Sequence, residues 1–185
     1  MMSLGNNLEG KILVASPALS VHSYFARTVI YILRHSMEGA VGLIINQPLP
    51  KFGGSLLVKH EGETIPLKFT KAYAGGPVDM DKGFVLHLDK AIQFGSEPLI
   101  KLSFDVSLLK AVAKGTSAAK NSMFLFGYCG WAAGQLEEEI RNDDWLVANP
   151  DKKIIFELAN NDKWAAYLNT LSINPTHYVD CAGTC

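Results

Sequence analysis

Residues 27–46 read RTVIYILRHSMEGAVGLIIN, and this stretch decides the fold class. RTVIYILRH (27–35) is dense in β-branched and aromatic side chains, which fit a pleated surface, so it reads as a strand. Ser36-Met37-Glu38-Gly39 interrupts the run, and AVGLIIN (40–46) returns as a second strand before Pro48. The two make a hairpin with a loop of about four residues. Pairing His35 with Ala40 sets Val29 opposite Asn46, Tyr31 opposite Ile44 and Leu33 opposite Gly42. Alternation then gathers Arg27, Tyr31, His35, Gly42 and Asn46 on one face. That grouping is conditional on register, because a slip of one residue exchanges the two faces.

Working outward, Lys11–Ser16 is a short strand stopped by Pro17. Residues 49–71 are polar and contain several glycines, and read as a long connection with at most one helical turn near Leu56. Ala72–Ala74 is a short strand running into Gly75-Gly76-Pro77. Strands follow at Gly83–Leu88, Pro98–Leu102 and, buried on both faces, Ser122–Tyr128. Asp105 caps a helix over Val106–Lys114 that Gly115 ends. Gly127, Gly130 and Gly134 turn the chain into a helix at about Ala133–Arg141, with Glu137 and Arg141 paired on its outer face. Lys153–Leu158 (KIIFEL) reads as a strand. Asn161 or Asp162 caps a last helix carrying Trp164, Tyr167, Leu168 and Leu171.

With 48% apolar and 19% charged residues, the chain of 185 residues has enough apolar surface to offset the entropy of folding. No repeat or linker divides it, so residues 1–185 are expected to form one domain with short mobile ends. Lys and Arg number 17 against 18 Asp and Glu, which supplies no field for nucleic acid or anionic lipid. MMSLGNNLEG lacks the basic and apolar regions of a secretory leader. The apolar run Ala40–Asn46 falls far short of the ~20 residues that span a bilayer. Three cysteines, Cys129, Cys181 and Cys185, form no disulfide framework and fit a reducing compartment. A cytoplasmic protein is the expectation.

Chemistry-bearing patterns are sparse. GYCGWAAGQLEEE (127–139) passes from strand to helix, where phosphate loops occur, but its spacing matches neither G-x-G-x-x-G nor a P-loop. Three glutamates in the first helical turns would repel an anion, so a tight turn anchored by Trp131 is the expected role. Cys129 precedes that helix, with no histidine adjacent to activate it. His22, His35, His60, His87 and His177 show no zinc spacing, so no metal site and no cofactor are expected. Gly75-Gly76-Pro77 brings backbone close to whatever lies opposite, and its N–H groups are available for a ligand only if they do not simply end a strand. Glu137–Glu139, Asp143-Asp144 and Lys152-Lys153 read as solvated surface.

Three runs in order, taken together, resemble the YqgE/AlgH family of small bacterial proteins. They are Pro17-Ala18-Leu19 with FARTVIYILRH (25–35) and GAVGLIINQP (39–48); AGGPV (74–78) with KGFVLH (82–87); and GYCGWAAGQLEEEI (127–140) with Trp145 five residues on. The resemblance covers about Ile12 to Leu158. It implies an α+β fold in which a strongly bent mixed or antiparallel sheet forms a partial barrel flanked by helices. It also implies a bacterial cytosolic protein associated with transcriptional regulation, and no settled reaction. Arg34 and Lys82 stand where the family carries Glu and Arg, Cys129 where it often has a small residue, and no acid precedes Phe25.

Two function classes follow. One is a regulatory or binding protein acting through protein or small-ligand contacts; with no basic stripe and no helix-turn-helix pattern, direct DNA contact is not expected. The other is an enzyme of unknown reaction with a polar pocket at the 27–46 hairpin. The candidate ligand- or partner-binding residues are Arg27, His35, Asn46, Gly75, Gly76, His87, Tyr128, Trp131 and Gln135. The question they pose is geometric: whether Arg27, His35 and Asn46 converge with Gly75-Gly76 and the turn at Trp131.

Overall fold

In the computed structural model the residues described are 7–49, 55–60, 63–68, 72–88, 100–103, 107, 110–111, 114 and 121–174. Strands β1 (Ile12–Ala15), β2 (Val29–Ser36) and β3 (Gly39–Ile44) form an antiparallel set with β2 in the middle. They continue through β9 (Ser122–Ala132) to β7 (Val78–Leu88) and β8 (Ile100–Ser103). At the other edge β10 (Trp145–Ala148) pairs with β1. The order is β10-β1-β2-β3-β9-β7-β8, and β6 (Tyr73–Ala74) lies parallel to β9. The result is an α+β fold around a mixed sheet that, among the described residues, does not close. Its bend is visible in Tyr31 of β2, whose hydroxyl donates to the carbonyl of Ile100 in β8 at 3.0 Å.

Both faces of the central strands are covered, which is why ILVA (12–15) and VIYI (29–32) are continuously apolar rather than alternating. On one face Ile12, Val14, Val29, Tyr31, Leu43 and Ile45 pack with Ile155, Tyr167 and Leu168. On the other, Leu13, Ala15, Ile30, Ile32, Ala40 and Ile44 pack with Trp131, Leu136 and Trp145. The first face is covered by helix α2 (Asn160–Thr170), the second by the short helix α1 (Gln135–Arg141). Among the described residues no helix is long and apolar enough to cross a membrane.

The hairpin of β2 and β3 is present with His35 opposite Ala40, but Ser36 pairs with Gly39, so the loop is two residues, Met37-Glu38. The expected shared face does not form. A bulge between Ile32 and Arg34 shifts the register, leaving Ile32 opposite Gly42 and Tyr31 opposite Leu43. Tyr31 therefore faces the α2 side, while His35, beside Ala40, faces the α1 side.

Three further expectations change. Within 49–71, Ser55–His60 (β4) and Glu63–Lys68 (β5) pair as an antiparallel hairpin. KIIFEL is no strand: Lys153–Glu157 forms a π-helical turn, closed by Leu158 N–H donating to the Lys153 carbonyl. The Asp151 carboxylate starts it by accepting the N–H groups of Lys153 at 2.7 Å and Ile154 at 3.2 Å. At α2 the N-cap is Ala159, one residue before the helix begins, rather than Asn161 or Asp162. The expected helix over 106–114 lies largely outside the described residues.

Candidate functional site

β9 does not end at Tyr128. It runs on to Ala132, its first half paired with β7 and its second with β3. Gly127, at φ 70°, marks the change of partner. Beyond Ala132, Gly134 (φ 76°) starts α1, and the Gln135 Oε1 accepts the Ala132 N–H at 3.0 Å. After seven residues α1 stops; Asp143 turns the chain at φ 60°, and Trp145 opens β10. Trp131 and Trp145 thus come from two strands and meet edge-on, ring centroids 6.2 Å apart.

Residues 16–28 close the other side. Successive turns are held by short hydroxyl side chains: Ser16, Ser20 and Ser23 accept the N–H groups of Ala18, His22 and Phe25, and Thr28 donates to the Phe25 carbonyl. The Asp144 carbonyl accepts the Ser16 N–H at 2.9 Å, tying this loop to the end of α1. Phe25 is thereby set edge-on to Trp145, centroids 5.7 Å apart. A cleft of about 210 Å³ results, walled by Phe25, Trp131 and Trp145 with Val78 and Cys129, and rimmed by polar Ser23, Gln135, Glu139 and Asp144.

One carboxylate organises the cleft. Glu139 Oε2 accepts the indole N–H of Trp131 at 2.7 Å and of Trp145 at 2.8 Å, while Oε1 accepts from Gln135 Nε2 at 2.9 Å. Cys129 is buried and donates to the Gly75 carbonyl at 3.6 Å, and burial pushes its thiol up to about 12. A thiol so held is no nucleophile at neutral pH. The Glu139 carboxylate, both indole N–H groups and the Gln135 amide are thus engaged with one another in the cleft wall. Among the described residues no cluster of His, Cys, Asp and Glu could hold a metal.

A sequence profile of the family described as AlgH-like matches residues 12–176. The chain belongs to the AlgH-like family. A UPF0301 protein of Bradyrhizobium sp. is 37% identical over 196 residues, covering 98% of this chain and 89% of the relative. A UPF0301 protein of Ralstonia pickettii is 38% identical over 175 residues, covering 91% and 90%. The solution structure of the AlgH protein from Pseudomonas aeruginosa aligns over 100% of both chains, with TM-score 0.65 and 31% identity. Protein DIP2367 from Corynebacterium diphtheriae aligns over 96% and 94% with TM-score 0.65 at 19% identity, a likeness of fold alone.

In this AlgH-like chain the nine candidate residues do not converge in one place. Trp131 and Gln135 line the cleft. His35 stands across α1 from it: Nδ1 accepts the Leu8 N–H at 3.3 Å and Nε2 donates to Glu137 at 2.9 Å. Glu137, expected to meet Arg141 outside, turns in to that histidine. Arg27, at φ 56°, lays its guanidinium 5.5 Å from the Trp164 ring centroid, and Asn46 brackets the backbone of residues 27 and 29. Gly75 donates to Phe126 at 2.6 Å and accepts from Ile44 at 2.8 Å, so it knits β3 to β9. Gly76 lies against the Tyr128 carbonyl, Tyr128 packs edge-on to Phe84, and His87 pairs with Lys101 and Ser122 on the far strands.

Phe25, Glu139, Asp144 and Trp145 were not among the candidates. Their signal in the sequence is faint: two tryptophans flanking a glutamate at spacings of eight and six residues. Reading Glu137–Glu139 as solvated surface missed that two of the three face inward partners.

Proposed function

We propose that this chain is a cytoplasmic binding protein with a regulatory role, acting through the Phe25–Trp131–Trp145 cleft rather than by catalysis. The observation that carries this reading is Glu139. Its carboxylate is engaged with two indoles and an amide, which favours a preformed aromatic receptacle over a general base. The Cys129 thiol, held protonated by burial, supports the same reading. Regulation is what the family resemblance adds, and the near-neutral charge of the chain favours a protein or small-ligand contact over DNA.

The test is a titration of ¹⁵N-labelled protein with fragment and peptide libraries, watching the three tryptophan side chains. Probes entering the cleft are expected to move the Trp131 and Trp145 indole signals. Trp164, whose Nε1 donates to the Ala15 carbonyl at 2.7 Å, serves as the control. A library that moves neither cleft indole, and raises the melting temperature with no probe, sinks the reading.

A further inference from the structure

The walls of the cleft are three aromatic rings set steeply to one another: Phe25 to Trp145 at 68° and Trp131 to Trp145 at 80°. Both indole N–H groups are turned onto Glu139, so the positive edges of these rings are spent on a carboxylate. Among the described residues lining the cleft are two acids, Glu139 and Asp144, and no Lys, Arg or His. The hydrogen-bond partners of the Glu139 carboxylate, Trp131, Trp145 and Gln135, are all neutral donors. A half-buried negative charge thus stands at the N–H edges of two π-systems whose faces are themselves negative.

Resting on the binding reading above, we propose that the cleft takes an organic cation, an ammonium or guanidinium group carrying alkyl carbons. The space, about 210 Å³, suits a trimethylammonium group or the end of an arginine side chain. Apolar walls bury the carbon substituents, the aromatic rings attract the charge, and the two acids among the lining residues complement it. Phosphate or carboxylate ligands are disfavoured by the same two acids. The cation is supplied either by a free small molecule or by a side chain of a protein.

Choline and 3,3-dimethyl-1-butanol have the same shape and differ in charge, so they separate this proposal from the broader reading. Followed by the Trp131 and Trp145 indole signals, choline or Nα-acetyl-arginine amide is expected to bind at least about fivefold tighter than the neutral alcohol. The advantage should shrink as salt is raised. Preference for choline identifies a free ammonium ligand; preference for the arginine amide identifies a side chain. Asp144→Asn is expected to weaken the cation about threefold and leave the alcohol unchanged, with the salt dependence of the wild type as a check that needs no variant. Equal binding of choline, arginine amide and alcohol overturns the cation while leaving the cleft as a receptacle. So does binding of neutral fragments alone. Silence of every probe removes both.

Discussion

Glu139 accepts the indole N–H of Trp145 at 2.8 Å across the turn that joins α1 to β10. The same oxygen accepts Trp131 from β9 at 2.7 Å, so one side chain fastens two strands to the helix between them. Hydrogen bonds to a charged acceptor are worth about 1.5–3 kcal/mol each, and their loss strands two indole donors in largely buried rings. Glu139→Ala is therefore expected to destabilise the protein by about 3 kcal/mol in urea unfolding, with a shift in tryptophan emission. The exposed neighbour supplies the control: Glu138→Ala should leave the unfolding midpoint where it is. Equal effects of the two substitutions would refute the clamp.

The glycines divide into those that the sheet requires and those that it tolerates. A Cβ on Gly75 would strike the Gly127 carbonyl oxygen, with Leu43 Cδ2 at 3.0 Å and Phe126 O at 3.2 Å, and its backbone hydrogen bonds to Phe126 and Ile44 prevent retreat. Gly130 has space, its nearest neighbour being Tyr128 Cε2 at 3.7 Å. Gly75→Ala is expected to cost more than about 3 kcal/mol or to abolish folding, and Gly130→Ala less than about 1 kcal/mol. Melting temperatures of the two variants decide the point.

Lys163 is a buried cation with no carboxylate partner among the described contacts. Its Nζ donates to the Ile45 carbonyl at 3.2 Å and lies 5.8 Å from the Tyr73 ring centroid. Burial lowers its pKa to about 8. A folded value below the unfolded one means that the unfolded chain binds the extra proton between about pH 8 and 10.4, so this residue's contribution to stability rises with pH there. Against Lys163→Met, which cannot titrate, the wild type should gain about 1–2 kcal/mol between pH 7 and pH 9.5. Parallel urea curves at the two pH values measure it; a constant difference would show that the lysine is not buried as a cation.

Cys129 carries the opposite sign. Its folded pKa, pushed up to about 12 by burial, exceeds the unfolded value. Its contribution to stability is full below about pH 8.5 and fades as pH climbs toward 12. At pH 8 the native thiolate fraction is about a thousandfold below that of an exposed thiol. Native Cys129 should therefore label with iodoacetamide at least about 100-fold more slowly than in urea, as read by peptide mass mapping that separates it from Cys181 and Cys185. Fast native labelling would restore it as a reactive group.

What the sequence revealed and what it hid have physical causes. The β2–β3 hairpin was legible because β-branched density is a local property, and so was the family, because its three runs are contiguous. The faces of β2 were not, since the bulge after Ile32 depends on partners that no local pattern specifies. KIIFEL has a strand's composition but folds as a π-helical turn because Asp151 captures two N–H groups. Residues 49–71 read as a connection because they are polar and contain several glycines. Yet Ser55–His60 and Glu63–Lys68 pair as a hairpin, which admits Pro66 opposite Leu57 because one side of each strand in a two-stranded hairpin needs no ladder donor. The cleft escaped for a similar reason: Trp131 and Trp145 meet only because α1 is short enough to return the chain to β1.

Asn46 tests how the hairpin's open end is held. Its Oδ1 accepts the Val29 N–H and its Nδ2 donates to the Arg27 carbonyl, each at 2.9 Å. It thereby extends the β2–β3 pairing past Ile44 and holds Arg27 in its left-handed conformation at φ 56°, a geometry that non-glycine residues seldom keep unaided. That conformation in turn sets the Arg27 guanidinium over Trp164. Asn46→Ala removes both bonds and should cost about 2 kcal/mol, while Asn46→Asp keeps the Val29 bond and should recover about half of that. Hydrogen exchange adds a local readout: the Val29 amide should lose protection in Asn46→Ala and keep it in Asn46→Asp. If both variants unfold within about 0.5 kcal/mol of wild type, the bracket does not stabilise the fold, and Arg27 must be held by its stacking on Trp164 instead.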